Sequence, residues 1–582
     1  MKWQGAQFLW ENETPDQIFI PEDHNEDQGM IIDMVREFVQ QNRDLSNELA
    51  HQRPLMEAAA ELGLLGAHLS EEYGGLELDT HTNTFIADEL GTMSGSFDTT
   101  FAAHIGIGVL PIYYYGNEEQ KKLYLPPSIT AEHIHSYCLT EPTSGSDAMA
   151  LKTQASLSED GKHYIINGQK MWITNAGFAD VFVVFAKVDG EQVTAFIVDA
   201  KSPGITLGEE EKKMGIKGSS TRQIFFENLK VPVENVLGKV GKGYRVAFNV
   251  LNIGRLKLGT MSLGACKKIL DYATGYANER VQFKYPISRY GAIREKLAKM
   301  AYRSFEVESA VYRVSDWLED RKQAFKAEGE SVEKSGLYAA MEFALECAVI
   351  KIAGSETLDY SVDENIQIHG GIGFSEEMPY ARMFRDARIN RIYEGTNEIN
   401  RLVIIKQLLK DAEKGENTLV INSLQWLQGR KPKVLGKTKE AQTVYSMKEA
   451  FQYVLSVLIQ AQMSGRMDLR KDQYVAMALA DMAISILLVE SALLRVEKLR
   501  DRQLYEEELL ENTLAASVHS NASQFRELVN RVLIHVAKDE SHKEQILKQF
   551  NEIYQSYDID IYRAWESIAG FVVDKNGYPF RG

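Results

Sequence analysis

Apolar residues recur at three- and four-residue spacing from Gln28 onward, with Ile31, Met34, Val35, Phe38 and Val39 opening a run that reads as helix. The period continues to about residue 135, interrupted at Pro54, Tyr73-Gly74-Gly75, Pro111 and Pro126-Pro127. It changes near Ser136. Stretches 163–170, 180–187, 193–198, 221–226 and 229–233 are rich in β-branched and aromatic residues and bounded by Gly, Asp or Asn, which predicts an antiparallel β region. Helical spacing returns at Gly243 over about 243–280, 290–325, 331–361, 376–389 and 397–411, lengths that suggest a bundle of antiparallel helices. After Gly415, Gly429, Pro432 and Gly436, a further helical region runs from about 441 to 570.

The pattern predicts an α+β chain, mostly α. Its division is a polar leader held by a few aromatics (1–27), a helical domain (28–135), a β domain (136–238), a helical bundle (239–411), a linker (412–440) and an extra helical domain (441–582). A chain of 582 residues is too long for one core, and a cleft is expected where the β domain meets the helices. No repeat of solenoid period and no low-complexity tract is present.

Composition narrows the function classes. A formal charge of −17 argues against sequence-independent nucleic-acid binding, which needs many cations to neutralise phosphates. The three cysteines, Cys138, Cys266 and Cys347, are widely spaced and fit a reduced compartment. The opening residues have no basic stretch followed by an apolar one, so the expected location is the cytoplasm of a bacterium, with membrane contact at most peripheral. Residues 474–494 are apolar but carry Asp481 and Glu490, which predicts a buried or interface helix and not a membrane span.

Several chemistries are absent: HExxH, a spaced Cys/His set, GxxxxGK[ST], a GxSxG elbow and a GxGxxG turn after a strand. Five stretches remain. Residues 137–147, from Tyr137 through Leu139, Thr140 and Ser146, run from a strand into a Gly/Ser/Thr loop able to bond a polar ring edge, or into an ordinary turn. Trp172-Ile173-Thr174 offers an aromatic and a hydroxyl at a strand end, or simply a core tryptophan. Arg280 and Phe283, at a helix end, suit a pyrophosphate and a base, or a solvated terminus. Gln367, Gly370 and Gly371 allow close ligand approach, or form a helix C-cap and turn. Finally, Tyr393-Glu394-Gly395-Thr396-Asn397-Glu398 sets one carboxylate beside a glycine. There the plainer reading is a helix start capped by Thr396 or Asn397.

Together and in this order, LTEPxxGSD, WITNxG, ERxQF, QIHGGxGF and YEGTNE resemble the acyl-CoA dehydrogenase family over about residues 28–411. Residues 213–220 and 231–235 also fit that family's β domain. The resemblance implies an N-terminal helical domain, a middle antiparallel β domain and a C-terminal four-helix bundle, here with extra C-terminal helices. It implies FAD, contacted by Tyr137, Leu139, Thr140, Ser146, Trp172, Ile173, Thr174, Thr396 and Glu398. Arg280, Phe283, Gln367, Gly370 and Gly371 would hold the pyrophosphate and adenine end, with Arg280 and Phe283 coming from a neighbouring subunit. Lys284 stands where a glycine commonly follows the Gln-Phe pair.

The implied reaction converts a fatty acyl-CoA to its trans-2-enoyl-CoA in β-oxidation, with Glu394 as base. Ser146, Asn252, Arg255 and Gly395 would meet the substrate. In some members the base is a glutamate just before the arginine of a helical motif; here that place is Gly254, in Leu251-Asn252-Ile253-Gly254-Arg255. This motif and the C-terminal extension resemble the very-long-chain branch, which implies a dimer and long acyl chains, with Gly106 and Gly108 making room for the tail. Electrons would pass to electron transfer flavoprotein. An acyl-CoA oxidase and a DNA-associated flavoprotein of the same fold are the alternatives.

Overall fold

The computed structural model describes residues 3–415, 418–433 and 435–581. Helices come first: α1 (Glu26–Asn42), α2 (Gln52–Glu61), α3 (Thr80–Leu90), α4 (Gly95–Ala102), α5 (Leu110–Tyr115) and α6 (Glu118–Ile129). Their starts follow local chemistry. Asn25 accepts from the Gln28 N–H while the Gln28 side chain accepts from the Asn25 N–H, a reciprocal cap that launches α1. Asp79, Ser94 and Asn117 cap α3, α4 and α6 in the same manner, each accepting a backbone N–H of the first turn.

Eight strands form one sheet: β1 (His135–Cys138), β2 (Gln154–Leu157), β3 (His163–Thr174), β4 (Val181–Val188), β5 (Gln192–Asp199), β6 (Ile205–Glu210), β7 (Thr221–Pro232) and β8 (Val236–Leu237). The order is β6-β7-β3-β2-β4-β5-β8, with β1 also on β4. The antiparallel expectation needs one correction, because β1 and β2 both run parallel to β4. The reason lies in β4 itself, an apolar run buried at almost every position. Val183 and Phe185 pack toward the helices, while Phe182 and Val184 face the other layer. A strand covered on both faces accepts parallel neighbours.

The bundle consists of α7 (Gly243–Glu279), α8 (Gly291–Ala327), α9 (Val332–Glu342), α10 (Ala344–His369), α11 (Gly371–Phe374), α12 (Pro379–Ala387) and α13 (Asn397–Glu413). The single helix expected over 331–361 breaks at Phe343, whose ring is buried against Trp317. Beyond lie α14 (Leu419–Leu427), α15 (Lys439–Met463), α16 (Gln473–Arg502), α17 (Glu507–Val536), α18 (Glu540–Ile553) and α19 (Ile561–Lys575). By length and composition α16 could cross a membrane, yet most of its apolar stretch is buried inside the protein.

The leader packs by aromatics, as expected, with Trp3 and Phe8 against Trp317 and Phe19 against His81 and Phe85, and by aliphatic residues as well. Phe8, Leu9, Ile18 and Ile20 belong to the same buried cluster as α7, α8, α15 and α16. Buried charges follow the same seam. Arg313 of α8 bonds Glu13 (2.7 Å) and Glu490 (2.9 Å), and Glu490 also meets Lys448 of α15. A second chain joins Asp88 to Lys267 (2.6 Å), Lys267 to Glu308 (2.9 Å), Glu308 to Arg495 (2.7 Å) and Arg495 to Glu22 (2.6 Å). Two ladders of buried charge thus tie the leader and the added helices to the bundle. Removing one member strands its partners without solvent. Arg313→Ala should therefore destabilise the protein by about 3–5 kcal/mol. Urea unfolding checks this, and a midpoint equal to wild type would show that the ladder is replaceable.

Candidate active site

The chain reverses between α12 and α13 through two successive left-handed residues, Glu394 (φ 57°) and Gly395 (φ 81°). Gly395 adopts this freely, whereas a glutamate pays roughly 1–2 kcal/mol. Three side chains hold the turn by its carbonyls. Asn400 Nδ2 donates to the carbonyls of Glu394 (3.3 Å), Gly395 (2.7 Å) and Thr396 (3.1 Å). Arg255 Nε donates to the Glu394 carbonyl (3.3 Å), and Lys351 Nζ donates to the Gly395 carbonyl (2.9 Å). Thr396 Oγ1 then accepts from the Ile399 N–H (3.2 Å) and starts α13, so the cap expected from sequence is present.

These anchors leave the Glu394 carboxylate alone. Its Oε2 is sealed from solvent and has no hydrogen-bond partner among the described residues. Burial pushes the carboxyl up to about 7, against the opposing pull of the Arg255 and Lys351 cations. Lys351 is itself brought down to about 7 by burial. Gly254 faces the carboxylate so closely that a Cβ there would sit 3.0 Å from Oε2. The two positions at which the resemblance places a base therefore converge in space.

Glu394, Tyr393, Gly254 and Thr174 border one cleft. The cleft continues along α7 past Leu258, Met261 and Ala265 to Ile269, about 22 Å of helix rise. Thr99 and Ala102 of α4 and the following Ala103 form part of its wall. Gly106 has open space where a Cβ would stand, as expected, whereas Gly108 packs against His135; neither is among the residues that border this cleft.

The residues expected beside a flavin ring gather on the sheet. Strands β3 and β7 shift register between Lys170 and Ile173, and Trp172 sits in that bulge at φ 60°, 52% exposed. The Thr140 carbonyl accepts from the Met171 N–H (2.9 Å), which joins the two motifs. Ser146 lies on an exposed loop beside Gly145, where a Cβ would meet nothing within 4 Å. The side chains of Ile173 and Leu139 are buried, so they offer backbone only. The Tyr137 hydroxyl donates to the Ala247 carbonyl (3.1 Å), joining the sheet to α7.

Asn252 and Arg255, expected at the substrate, are each only 6% exposed, and Arg255 Nη1 donates to Asn252 Oδ1 (2.9 Å). Arg255 positions the Glu394 turn, and its Nε and Nη1 and the Asn252 Oδ1 are already engaged.

A second group lies far away. Arg280 and Phe283 are at the C-terminal end of α7, about 39 Å of helix rise from Gly254. Phe283 is 87% exposed, and Gln367, Gly370 and Gly371 are exposed at the end of α10 nearby, where Tyr276 stacks on His369. Lys284 takes φ 79°, the conformation for which glycine is the usual residue. The residues present fit a flavin dinucleotide. An exposed indole and the Thr174 hydroxyl suit a planar ring edge, and Gly370 and Gly371, with open space where a Cβ would stand, suit a phosphate. One chain holds the two groups too far apart to serve one end of the ligand, and Thr396 and Glu398 stay with the first.

Sequence reasoning missed several supports. Lys170 Nζ donates to Glu141 Oε1 (2.7 Å) and to the Leu139 carbonyl (3.2 Å), fixing the strand under Thr140. Lys351, Asn397 and Asn400 hold the Glu394 turn. A lysine within the apolar run 347–353 was the one visible signal.

Comparison with known proteins agrees with this geometry. Family models described as the acyl-CoA dehydrogenase N-terminal, middle and C-terminal domains match residues 25–132, 136–229 and 241–409, and a further model with the C-terminal description matches 448–548. The chain is 46% identical over 509 residues to a "Probable acyl-CoA dehydrogenase" of Bacillus subtilis, covering 85% of each. It is 38% identical over 418 residues to the rat "Very long-chain specific acyl-CoA dehydrogenase, mitochondrial", covering 69% of this chain and 61% of that one. A solved acyl-CoA dehydrogenase from Bacillus anthracis, complexed with FAD, superposes with a TM-score of 0.94 at 39% identity, covering 99% of this chain and all of the other.

The Glu394 carboxyl has a stability signature. Its folded value, about 7, exceeds the ordinary 4.5, so the native state binds the extra proton. The stability this contributes is complete below about pH 4.5 and is lost as pH rises through about 7. Glu394→Gln should therefore be more stable than wild type at pH 8, by up to roughly 3 kcal/mol, and nearly equal to it near pH 4.5. Denaturant titrations of both proteins at the two pH values measure the difference. A gap independent of pH would show that burial does not raise this carboxyl.

Proposed function

The chain belongs to the acyl-CoA dehydrogenase family of FAD-dependent oxidoreductases, and from that premise we propose that it oxidises long-chain fatty acyl-CoA to trans-2-enoyl-CoA in β-oxidation, with Glu394 as base. The observation that carries the reading is the Glu394 carboxylate, unbonded at Oε2, beside a Gly254 that has no side chain to compete.

The chain's own groups account for the proton transfer. A thioester α-proton is weakly acidic, so its acceptor must be basic at working pH and close to the α-carbon. Burial makes Glu394 basic near neutrality. Arg255 and Lys351 hold the turn through its carbonyls, so they orient the base without bonding its carboxylate. Both cations also favour the ionised form before proton transfer. Among the described residues the Glu394 N–H meets no backbone acceptor, which leaves it able to bond the thioester oxygen as charge develops there. Gly395 adds no side chain beside the reacting carbons. Thr140, Trp172 and Thr174 would hold the isoalloxazine ring, and the backbone of Ile173 and Leu139 would line it. Bound FAD supplies an acceptor for the β-hydride.

Chain length rests on the cleft. Its course along α7, with small residues Ala102 and Ala103 on the opposing wall, leaves room for a long tail. The likeness to the rat very-long-chain enzyme supports the same reading. The distance of Arg280 and Phe283 from Glu394 supports a homodimer in which each chain completes its partner's cofactor site. Electron transfer flavoprotein is the proposed acceptor, on family resemblance.

Glu394→Gln should retain bound flavin and lose its bleaching by palmitoyl-CoA under anaerobic conditions, with a fall of at least about 100-fold in rate. In wild type, kcat/KM should rise as pH increases through about 7, where the base ionises. A variant that bleaches at nearly the wild-type rate would refute the assignment.

A further inference from the structure

A second cavity lies between α3, α5, α7, α8 and α9, on the other side of α7 from the cleft. Gly254, Leu258 and Met261 face the cleft, while Ile253, Leu256 and Thr260 face the second cavity, as the helical period requires. Thr80 of α3, Lys322 of α8, and Val332 and Gly336 of α9 border the cavity and are partly exposed, so its side away from α7 is the one toward water.

Two polar side chains on the inner border have no partner. Lys257 Nζ is sealed from solvent and makes no hydrogen bond among the described residues. Both ring nitrogens of His68 are sealed and unpartnered as well. A neutral imidazole still carries one N–H, so this residue holds a donor without an acceptor. Burial holds His68 well below its ordinary value, and Lys257 and Lys322 add to that, so both amines lie within electrostatic reach of the ring. No Asp or Glu is among the described residues that border the cavity. Glu319 approaches Lys322 at 3.5 Å, but no carboxylate pairs with Lys257 among the described residues. The catalytic carboxylate does not serve it either, because the cations that act on Glu394 are Arg255 and Lys351. Burial brings Lys257 down to about 7, so the amine is charged below neutrality. A buried cation without a counter-charge is costly, and the cost is relieved when an anion joins it. The apolar walls from Ile253, Leu256 and Leu318 disfavour a strongly hydrated dianion, and one amine balances one negative charge.

We propose that the second cavity is a binding site for a small monovalent anion, a halide or a short carboxylate, held between Lys257 Nζ and His68. The amine supplies a charge-assisted bond and the imidazole supplies an N–H. The site is separate from the oxidation of the acyl chain and requires no passage between cavity and cleft. Lys257 belongs to α7 and His68 to the segment between α2 and α3, so a bound anion ties the N-terminal helices to the bundle. An anion that binds only the folded chain also stabilises it.

The test is a calorimetric titration of the flavin-loaded protein at pH 6, with sodium acetate and separately with sodium chloride, sodium gluconate holding the ionic strength constant. Wild type should give a one-site isotherm with at least one of the two anions. Acetate alone identifies a carboxylate site and chloride alone a halide site, and either outcome supports the inference. Lys257→Met should weaken that binding at least about tenfold. If this variant does not fold, His68→Phe takes its place. In crystals grown with bromide, an anomalous peak should stand within about 4 Å of Lys257 Nζ. Saturable binding of neither anion, or binding unchanged in the variant, overturns the inference, as does a bromide peak set only elsewhere. None of these outcomes touches the acyl-CoA reading, which the flavin-bleaching experiment tests by itself.

Discussion

The site depends on withdrawing one carboxylate from water without pairing it. Burial of Glu394 raises its proton affinity into the neutral range, and an ion pair through Oε2 would undo that. The structure meets both demands by sending its cations to the backbone. Arg255 and Lys351 bond the carbonyls of Glu394 and Gly395, so their charge acts at a distance while their hydrogen bonds hold the turn. Asn400 adds three further contacts. A left-handed glutamate is strained, and the strain persists because so many groups determine it.

The remaining architecture serves that turn. Arg255 is carried by α7 and Lys351 by α10, and these helices pack side by side, with α13 against α10. The Tyr137 hydroxyl ties the sheet to α7, and the Lys170–Glu141 pair stiffens the strand on which Thr140 lies. The buried charge ladders extend this rigidity outward. Glu13 and Glu22 of the leader, and Lys448, Glu490 and Arg495 of the added helices, are joined to α8 by ions with little or no access to water. Such pairs add little net stability over apolar packing, but they specify which surfaces meet. The added helices are thereby fastened to the back of the bundle that holds the base.

Two cavities lie on either side of α7. Gly254 marks the reacting end, Leu258 and Met261 continue the apolar cleft, and Lys257 brings an amine to the edge between them. A lysine inside an otherwise apolar helix face is hard to explain by packing, because methionine would fill the same space without a charge to desolvate.

The sequence by itself determined the element types, because helical and strand periods reflect which face of each segment meets apolar surroundings. It also determined the family, because five short motifs in one order are specific although each alone reads as a turn or a cap. Thr396 as the cap of α13 and the strand-to-loop course of residues 137–147 were legible for the same local reason. Nearly everything that depends on distant residues was not. The parallel pairing of β1 and β2 with β4, the burial of the leader and the inward turn of Asn252 are decided by long-range packing, which leaves no periodic trace. The closest case is Gly254 and Glu394. Each residue could be read where it stood, but their separation of about 3 Å from Oε2 to the place of an absent Cβ exists only once α7 and the 394 turn are folded together. Proton affinity is likewise a property of the surroundings, so the Glu394 carboxylate became a base only through the burial that the tertiary structure imposes.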